Sequence, residues 1–268
     1  MIDRPARLVL LGHPVGHSIS PQFQNAALRA AGIPITYGLL DVAPHQLDAT
    51  LALLREERAA GNATIPLKEL LAARCARLSP LASRVGAANV FWHEEGELVG
   101  DNSDVGGAEI VMRALLGATA SSARLALIGA GGSAASVLCA AERCGIPSAV
   151  IYNRSMERAE QLAHRYAPLA SVVSSLEEAL QDATLVVNAT PVGLHDGAFP
   201  VAIERLPQEC AVFDLVYTRG ETAWVTAARA AGHRAADGEG MLIEQGAIAF
   251  ERWFGFEPDR NAMWKAIH

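Results

Sequence analysis

The sequence predicts an α/β fold with mostly parallel sheets. Three observations carry that expectation: strand-sized apolar runs alternate with amphipathic stretches along the whole chain, the alternation starts a second time after Asn102, and one run opens directly into a glycine-rich turn. With 268 residues, 51% of them apolar and 19% charged, the chain is long enough for two ordinary domains or one large one, without help from disulfides or metals. The longest apolar stretches, such as residues 8–11 and 125–128, fall far short of the roughly 20 residues that cross a bilayer, so no membrane span is expected.

In the first half, residues 8–11 read as a strand, 21–31 as a helix, 35–40 as a strand and 45–60 as a helix. After Asn102 the rhythm resumes with a helix over 105–116, a strand over 123–128, a helix over 133–144, a strand over 149–152 and a helix over 156–166. Residues 185–188 and 211–216 are short apolar runs flanked by turn residues, the pattern of central strands. From Gly240 onward the chain reads as helical, interrupted near Gly255 and Pro258.

The net charge of −7, with no run of basic residues, excludes nucleic acid as the main partner, because neutralising phosphates needs clustered Lys and Arg. Cys75, Cys139, Cys144 and Cys210 form no C-x-x-C pair and read as buried thiols. His13 and His17 are four apart but separated by Pro14 and Gly16 with no carboxylate close by, so no metal site is expected. The first residues, Met1-Ile2-Asp3-Arg4-Pro5, lack the apolar core of a secretory signal, and a cytoplasmic protein is expected.

The strand over 123–128 runs into Gly129-Ala130-Gly131-Gly132-Ser133-Ala134, a G-x-G-x-x-A turn followed by helix formers. Gly129 permits the tight turn, Gly131 lets the backbone approach a pyrophosphate, and the small Ala134 allows close helix packing. The diphosphate then lies on a helix N-terminus, where free N–H groups and the dipole favour an anion. Where an NAD site usually places an acid on the ribose, the chain has Asn153-Arg154-Ser155, with Arg158 one turn further on. Two guanidinium groups and a hydroxyl suit a 2′-phosphate, so NADP is favoured over NAD; the alternative is a merely solvated helix start.

A second set of motifs points to a small polar substrate. Gly12-His13-Pro14-Val15-Gly16-His17-Ser18-Ile19-Ser20-Pro21 follows the first strand, and loops at this edge of an open α/β sheet bind ligands. In isolation Ser20 also reads as a helix N-cap with Pro21 at the first helical position. Then come Gly61-Asn62-Ala63-Thr64-Ile65-Pro66-Leu67-Lys68, Gly86-Ala87-Ala88-Asn89-Val90 and Gly100-Asp101-Asn102-Ser103-Asp104. Later still are Asn188-Ala189-Thr190-Pro191-Val192-Gly193-Leu194, Asp214-Leu215-Val216-Tyr217 and the stretch 237–247 with Gly240 and Gln245. Taken together and in this order, the set resembles the shikimate dehydrogenase family over essentially the whole chain.

The resemblance implies a substrate-binding catalytic domain over 1–104, an NADP-binding Rossmann domain over 105–238, and a C-terminal helical segment over 239–268 that returns to the first domain. It implies that Ser18, Ser20 and Tyr217 hold a substrate carboxylate, and that Asn62, Thr64, Asn89, Asp104 and Gln245 bind ring hydroxyls. Thr190 and Gly240 join the glycine turn, Asn153, Arg154, Ser155 and Arg158 on the cofactor side. The implied activity is reversible, NADPH-dependent reduction of 3-dehydroshikimate by a monomer or homodimer.

Lys68 and Asp104 match the family's catalytic pair. Ketone reduction puts negative charge on the oxygen, so a proton donor must sit beside it; Lys68 is the candidate, with Asp104 holding the ammonium. Taken singly, Lys68 also reads as a solubilising helix start and Asp104 as the cap of a helix beginning at Val105. The chain departs from the family at Gln24 (usually His), Ala63 (Val), Val90 (Thr) and Ser103 (Thr), which leaves a quinate or aminoshikimate preference open. A methylene-tetrahydrofolate dehydrogenase and a regulatory protein that has lost the chemistry are the other readings; Ser18, Ser20 and Gln245 speak against the first, Lys68, Asp104 and the glycine turn against the second.

Overall fold

The computed structural model describes residues 4–218 and 220–268, so the first three residues of the leader reading lie outside the described residues. The chain forms two compact units, one from residues 1–106 and 243–268, the other from 107–242.

In the first unit, β1 (Arg7–Gly12), α1 (Ser20–Ala30), β2 (Tyr37–Asp41), α2 (Leu47–Glu56), β3 (Ala59–Ala63), α3 (Lys68–Ala72), β4 (Arg77–Leu78), α4 (Pro80–Val85), β5 (Val90–Glu94) and β6 (Glu97–Asp101) follow one another. They build one sheet in the order β2-β1-β3-β5-β6-β4. β1 runs parallel to β2 and β3, and β4 parallel to β6, while β5 is antiparallel to both neighbours. Glu95 and Gly96, at φ 54° and 80°, form the two-residue turn between β5 and β6, the left-handed pair that matches strand twist in a tight hairpin. Leu47, Leu51 and Leu54 of α2 and Leu71 of α3 pack with Val9, Leu11 and Phe91 in one buried cluster.

The helix expected over 45–60 is a correction. α2 ends at Glu56, Arg58 takes a left-handed φ of 51°, and Ala59–Ala63 is a fully buried strand beside β1. Alanine favours helix locally, but pairing with β1 on one side and β5 on the other overrides that preference, and at Gly61 the strand passes so close to β1 that no side chain fits. A Cβ on Gly61 would lie 1.9 Å from the Val9 carbonyl oxygen.

α5 (Asp104–Leu116) spans the boundary into the second unit. There β7 (Arg124–Ile128), α6 (Gly132–Cys144), β8 (Ser148–Tyr152), α7 (Met156–Arg165), β9 (Ala170–Val172), α8 (Leu176–Leu180), β10 (Leu185–Asn188), β11 (Ala211–Asp214), α9 (Ala223–Ala230) and β12 (Ala235–Ala236) follow. All strands are parallel, in the order β12-β11-β10-β7-β8-β9. Numbered within the unit this is 6-5-4-1-2-3, the doubly wound dinucleotide-binding order, whose switch point lies between β7 and β10. Trp224 and Val225 of α9 pack with Val186, Val212 and Ala126, and the Trp224 indole donates to the Val201 carbonyl at 2.9 Å.

α10 (Gly238–Phe254) crosses back into the first unit, and α11 (Arg260–Lys265) packs against α1. Within that unit the Trp253 indole donates to the Phe91 carbonyl at 3.3 Å, and the Arg252 guanidinium donates to buried Asp101 at 2.7 Å. Cys139, Cys144 and Cys210 are buried free thiols, but Cys75 is only partly covered, a correction to the expectation that all four are buried; it lies in the short connection between α3 and β4. No described helix is long and apolar enough to cross a membrane.

Gly61→Ala is expected to lower stability by about 3 kcal/mol or more, because backbone cannot yield as a side chain does. That corresponds to a fall in Tm of about 10 °C by differential scanning calorimetry. Gly16→Ala, where an added Cβ meets nothing, is expected to leave Tm nearly unchanged.

Candidate active site

The carboxyl ends of β1 and β3 and the start of α5 gather polar side chains in the first unit. After β3 the chain turns at Thr64, with Leu67 N–H donating to the Thr64 carbonyl at 2.8 Å, and Lys68 opens α3. Lys68 Nζ donates to Asp104 Oδ2 at 2.6 Å, and the two side chains are 19% and 8% exposed. Asp104 Oδ1 accepts from Asn89 Nδ2 at 2.9 Å. The pair is largely withdrawn from water, and each oxygen of the carboxylate is held by a protein donor.

Asn89 is the hub of the cluster. Its N–H donates to the Asp101 carbonyl at 3.0 Å, and its own carbonyl accepts from Ala63 N–H at 3.0 Å and Asn62 Nδ2 at 2.9 Å. Its side-chain oxygen accepts from Ser103 N–H at 2.7 Å, and its amide nitrogen also lies 3.3 Å from Gln245 Oε1. Asn62 Oδ1 accepts from the Tyr37 hydroxyl at 2.7 Å, and burial pushes that phenol well above its ordinary pKa, so it stays a donor. Lys68, Asp104, Asn89, Asn62 and Gln245 thus form one connected set. Thr64 sits at its edge: its N–H donates to the Leu11 carbonyl at 2.8 Å, and its methyl would meet a Cβ on Gly12.

Ser18 and Ser20 lie on the adjoining loop, which is tied to the Lys68 turn by the His13 N–H on the Ile65 carbonyl at 3.1 Å. The helix-cap reading of Ser20 is not what the structure shows. Ile19 occupies the cap position of α1, Ser20 is its first residue and Pro21 the second, with no side-chain cap. Instead Ser18 Oγ accepts from Ser20 N–H at 3.2 Å and donates to Ser20 Oγ at 3.1 Å. The two hydroxyls are therefore paired side by side, with Ser18 rather than Ser20 accepting from the first N–H of the helix. Gln24 donates to the Gly246 carbonyl at 2.9 Å, next to Gln245, while Ala63 and Val90 are fully buried apolar neighbours of the Asn62–Asn89 pair.

Sequence reasoning missed Tyr37, Asp101 and Asn102. Asp101, 2% exposed, accepts from Ser79, Asn102 N–H and Arg252, and Asn102 donates to the Ala87 carbonyl at 2.9 Å. The signal for Asn102 lay in plain view as part of Gly100-Asp101-Asn102-Ser103-Asp104, whereas nothing local marks Tyr37.

In the second unit, Gly129 has φ 113°, and a Cβ there would meet the Ala189 carbonyl oxygen at 2.8 Å, so the turn excludes any side chain. A Cβ on Gly131 would meet nothing, which leaves open backbone where α6 begins; Ala130, Gly132 and Ser133 flank it and Ala134 is fully buried in the helix. Asn153 follows β8, and its amide donates to the Ser155 carbonyl at 2.8 Å. Arg154 and Arg158 are exposed and, among the described residues, neither side chain has a hydrogen-bond or ion-pair partner. Thr190 donates to Asn188 Oδ1 through its hydroxyl at 2.6 Å. Tyr217 follows β11 and is partly buried, and Gly240 lies in α10, where an added Cβ would touch Val111 at 3.5 Å. An N-terminus of a thirteen-residue helix beside open glycine backbone, with two unpaired cations after the neighbouring strand, fits an anionic dinucleotide carrying an extra phosphate.

The chain is similar to known proteins over nearly its whole length. Residues 10–91 match the shikimate dehydrogenase substrate binding domain, 112–195 the shikimate/quinate 5-dehydrogenase family, and 238–268 the shikimate 5'-dehydrogenase C-terminal domain. A shikimate dehydrogenase (NADP(+)) of Rubrobacter xylanophilus is 41% identical over 277 residues, covering 99% of this chain and 97% of the relative. The chain belongs to the shikimate dehydrogenase family. A Geobacillus kaustophilus relative of the same name is 36% identical over 264 residues, 96% of each chain. The crystal structure of the Thermus thermophilus shikimate 5-dehydrogenase in complex with NADP(H) and shikimate superposes with a TM-score of 0.87 at 37% identity, covering 97% of this chain and 98% of the other.

Tyr37→Phe leaves Asn62 Oδ1 without its donor in a buried setting. An unsatisfied acceptor of that kind costs about 1–3 kcal/mol, which urea unfolding would register as a lower midpoint at unchanged slope.

Proposed function

We propose that this chain is an NADP-dependent shikimate dehydrogenase that reversibly reduces 3-dehydroshikimate to shikimate with NADPH. The observation that carries the reading is the Lys68–Asp104 ion pair, nearly dry and set among amides and hydroxyls able to grip a small polyhydroxylated acid. The family relatives named for NADP and the complex with NADP(H) and shikimate support it.

In this reading Ser18, Ser20 and Tyr217 hold the substrate carboxylate, and Asn62, Thr64, Asn89, Asp104 and Gln245 bind its hydroxyls. Such hydrogen bonds discriminate sharply, because an analogue lacking a partner leaves a buried polar group unpaired. Gly129, Ala130, Gly131, Gly132, Ser133 and Ala134 cradle the cofactor diphosphate, Asn153, Arg154, Ser155 and Arg158 its adenosine phosphate, and Thr190 and Gly240 complete the contact. NADPH, when bound, supplies the hydride. Lys68 supplies the proton: as the ketone becomes an alcohol, its ammonium protonates the oxygen, and solvent later restores the proton. Asp104 keeps the ammonium aimed at that oxygen and accepts a hydrogen bond from the neighbouring hydroxyl; in the reverse direction the neutral amine takes the proton back. The domain assignment that goes with this is substrate binding by 1–104, NADP binding by 105–238 and a C-terminal segment over 239–268. The enzyme would work in the cytoplasm as a monomer or homodimer, without a metal.

NADPH oxidation with 3-dehydroshikimate, followed at 340 nm beside 3-dehydroquinate, tests the reading; turnover of dehydroquinate alone would move the substrate assignment. Lys68→Ala is expected to lower kcat by about 10²–10⁴-fold while NADPH binding, read by fluorescence titration, stays intact. A near-normal rate would remove Lys68 from the mechanism.

Arg154→Ala is expected to raise KM for NADPH by tenfold or so, the loss of one charge-assisted contact, with KM for NADH little changed. Equal effects on both cofactors would take Arg154 away from the 2′-phosphate.

A further inference from the structure

β10 and β11 end side by side on Asn188 and Asp214, which are register partners in the parallel ladder, and both side chains are essentially inaccessible, at 0% and 1% exposure. A bare carboxylate in such a place is costly, and this one is satisfied by three donors: Asn188 Nδ2 at 2.8 Å and Val216 N–H at 3.1 Å on Oδ1, and the Thr222 hydroxyl at 2.9 Å on Oδ2. Asn188 faces the other way with its oxygen, which accepts both the N–H of Thr190 at 3.0 Å and its hydroxyl at 2.6 Å. Its amide nitrogen also reaches the Val192 carbonyl at 3.2 Å. The pair therefore holds the first turn of two loops at once, the one leaving β10 with Thr190 and the one leaving β11 with Val216 and Tyr217.

Both loops matter to the site as read above. Thr190 packs on the glycine-rich turn, since a Cβ on Gly129 would meet its methyl at 3.1 Å. Tyr217 directly follows the residue whose N–H the carboxylate holds. We propose that Asp214 and Asn188 are positioning residues: a single buried carboxylate–amide pair sets Thr190 for the cofactor and Tyr217 for the substrate carboxylate, so that the two binding surfaces share one brace. This rests on the functional reading given under Proposed function, which assigns Thr190 and Tyr217 their ligands.

The chemistry of the brace dictates how substitutions act. Asp214→Ala frees Val216 N–H and one Asn188 proton together. Asp214→Asn keeps an oxygen for both of those donors and turns its NH2 to Thr222, whose hydroxyl can reverse from donor to acceptor. The amide variant is thus the conservative one, and a brace made by hydrogen-bond geometry is recovered by it.

The test combines amide hydrogen exchange with kinetics on the full chain, well below each variant's Tm. Asp214→Ala is expected to speed exchange at Thr190 and Val216 by about tenfold or more, with amides inside β10 and β11 unchanged, and to raise KM for both NADPH and 3-dehydroshikimate about fivefold or more; Asp214→Asn should recover most of both effects. If Asp214→Ala does not fold, Asn188→Ala takes its place, with faster exchange at Thr190 and a raised KM for NADPH expected. A folded variant that loses only Tm, or an unchanged exchange rate at both amides, overturns the proposal. Should the wild-type chain fail to turn over 3-dehydroshikimate, the functional reading falls, and exchange at Thr190 and Val216 alone decides whether the brace exists.

Discussion

The ion pair of Lys68 with Asp104 sets the terms for everything around it in the first unit. A salt bridge with so little water contact gains from Coulomb attraction only if its remaining lone pairs and protons are also satisfied. Asp104 meets this through Asn89, and Asn89 in turn is fixed at its backbone by Asp101 and Ala63 and at its side chain by Ser103. The pair is therefore anchored through backbone hydrogen bonds at the strand ends, Asn89 N–H to Asp101 and Ala63 N–H to Asn89, as well as through side chains. Donors and acceptors fixed in this way need no reorganisation when charge develops on a ketone oxygen, the condition under which electrostatic stabilisation is most effective.

The second unit follows the opposite logic. Arg113, Arg143, Arg205 and Arg229 all pair with glutamates, whereas Arg154 and Arg158 have no such partner among the described residues. Where the first unit ties its Lys68–Asp104 cluster into internal hydrogen bonds, this one carries two exposed, unpaired guanidinium groups and open glycine backbone at the start of α6. Unsatisfied positive groups gathered around one strand edge amount to a preference for an anion. Behind that edge, burial raises the pKa of Asp214, and the hydrogen bonds from Asn188, Val216 and Thr222 oppose that rise only in part.

Much of this was legible one residue at a time. The elements from α5 to α7, together with β10 and β11, could be read to within a residue or two from their apolar runs and faces, whereas sequence reasoning missed β9, α8, α9 and β12: β9 is only Ala-Ser-Val with its serine exposed, and β12 is only two alanines. Ala59–Ala63 could not be read either, since its strand pairing answers to β1, which is remote in sequence. The Glu95-Gly96 hairpin hid among acidic residues, and Ser20 resembled a cap because S-x-S-P satisfies the local rule; the pairing with Ser18 appears only once the loop has folded back.

The sequence by itself determined the fold class, the glycine turn and the residue types that make up the site, because backbone freedom, periodicity and side-chain chemistry are local properties. Only the tertiary structure decided which of those residues meet. Lys68 and Asp104 are 36 positions apart, and Asn89 and Gln245 are 156 apart. Their contacts, like the Tyr37 hydroxyl on Asn62 and the meeting of Asn188 with Asp214, depend on strand register and on which strands are neighbours. Register is set by packing a whole sheet against its helices, and no stretch of ten residues contains it.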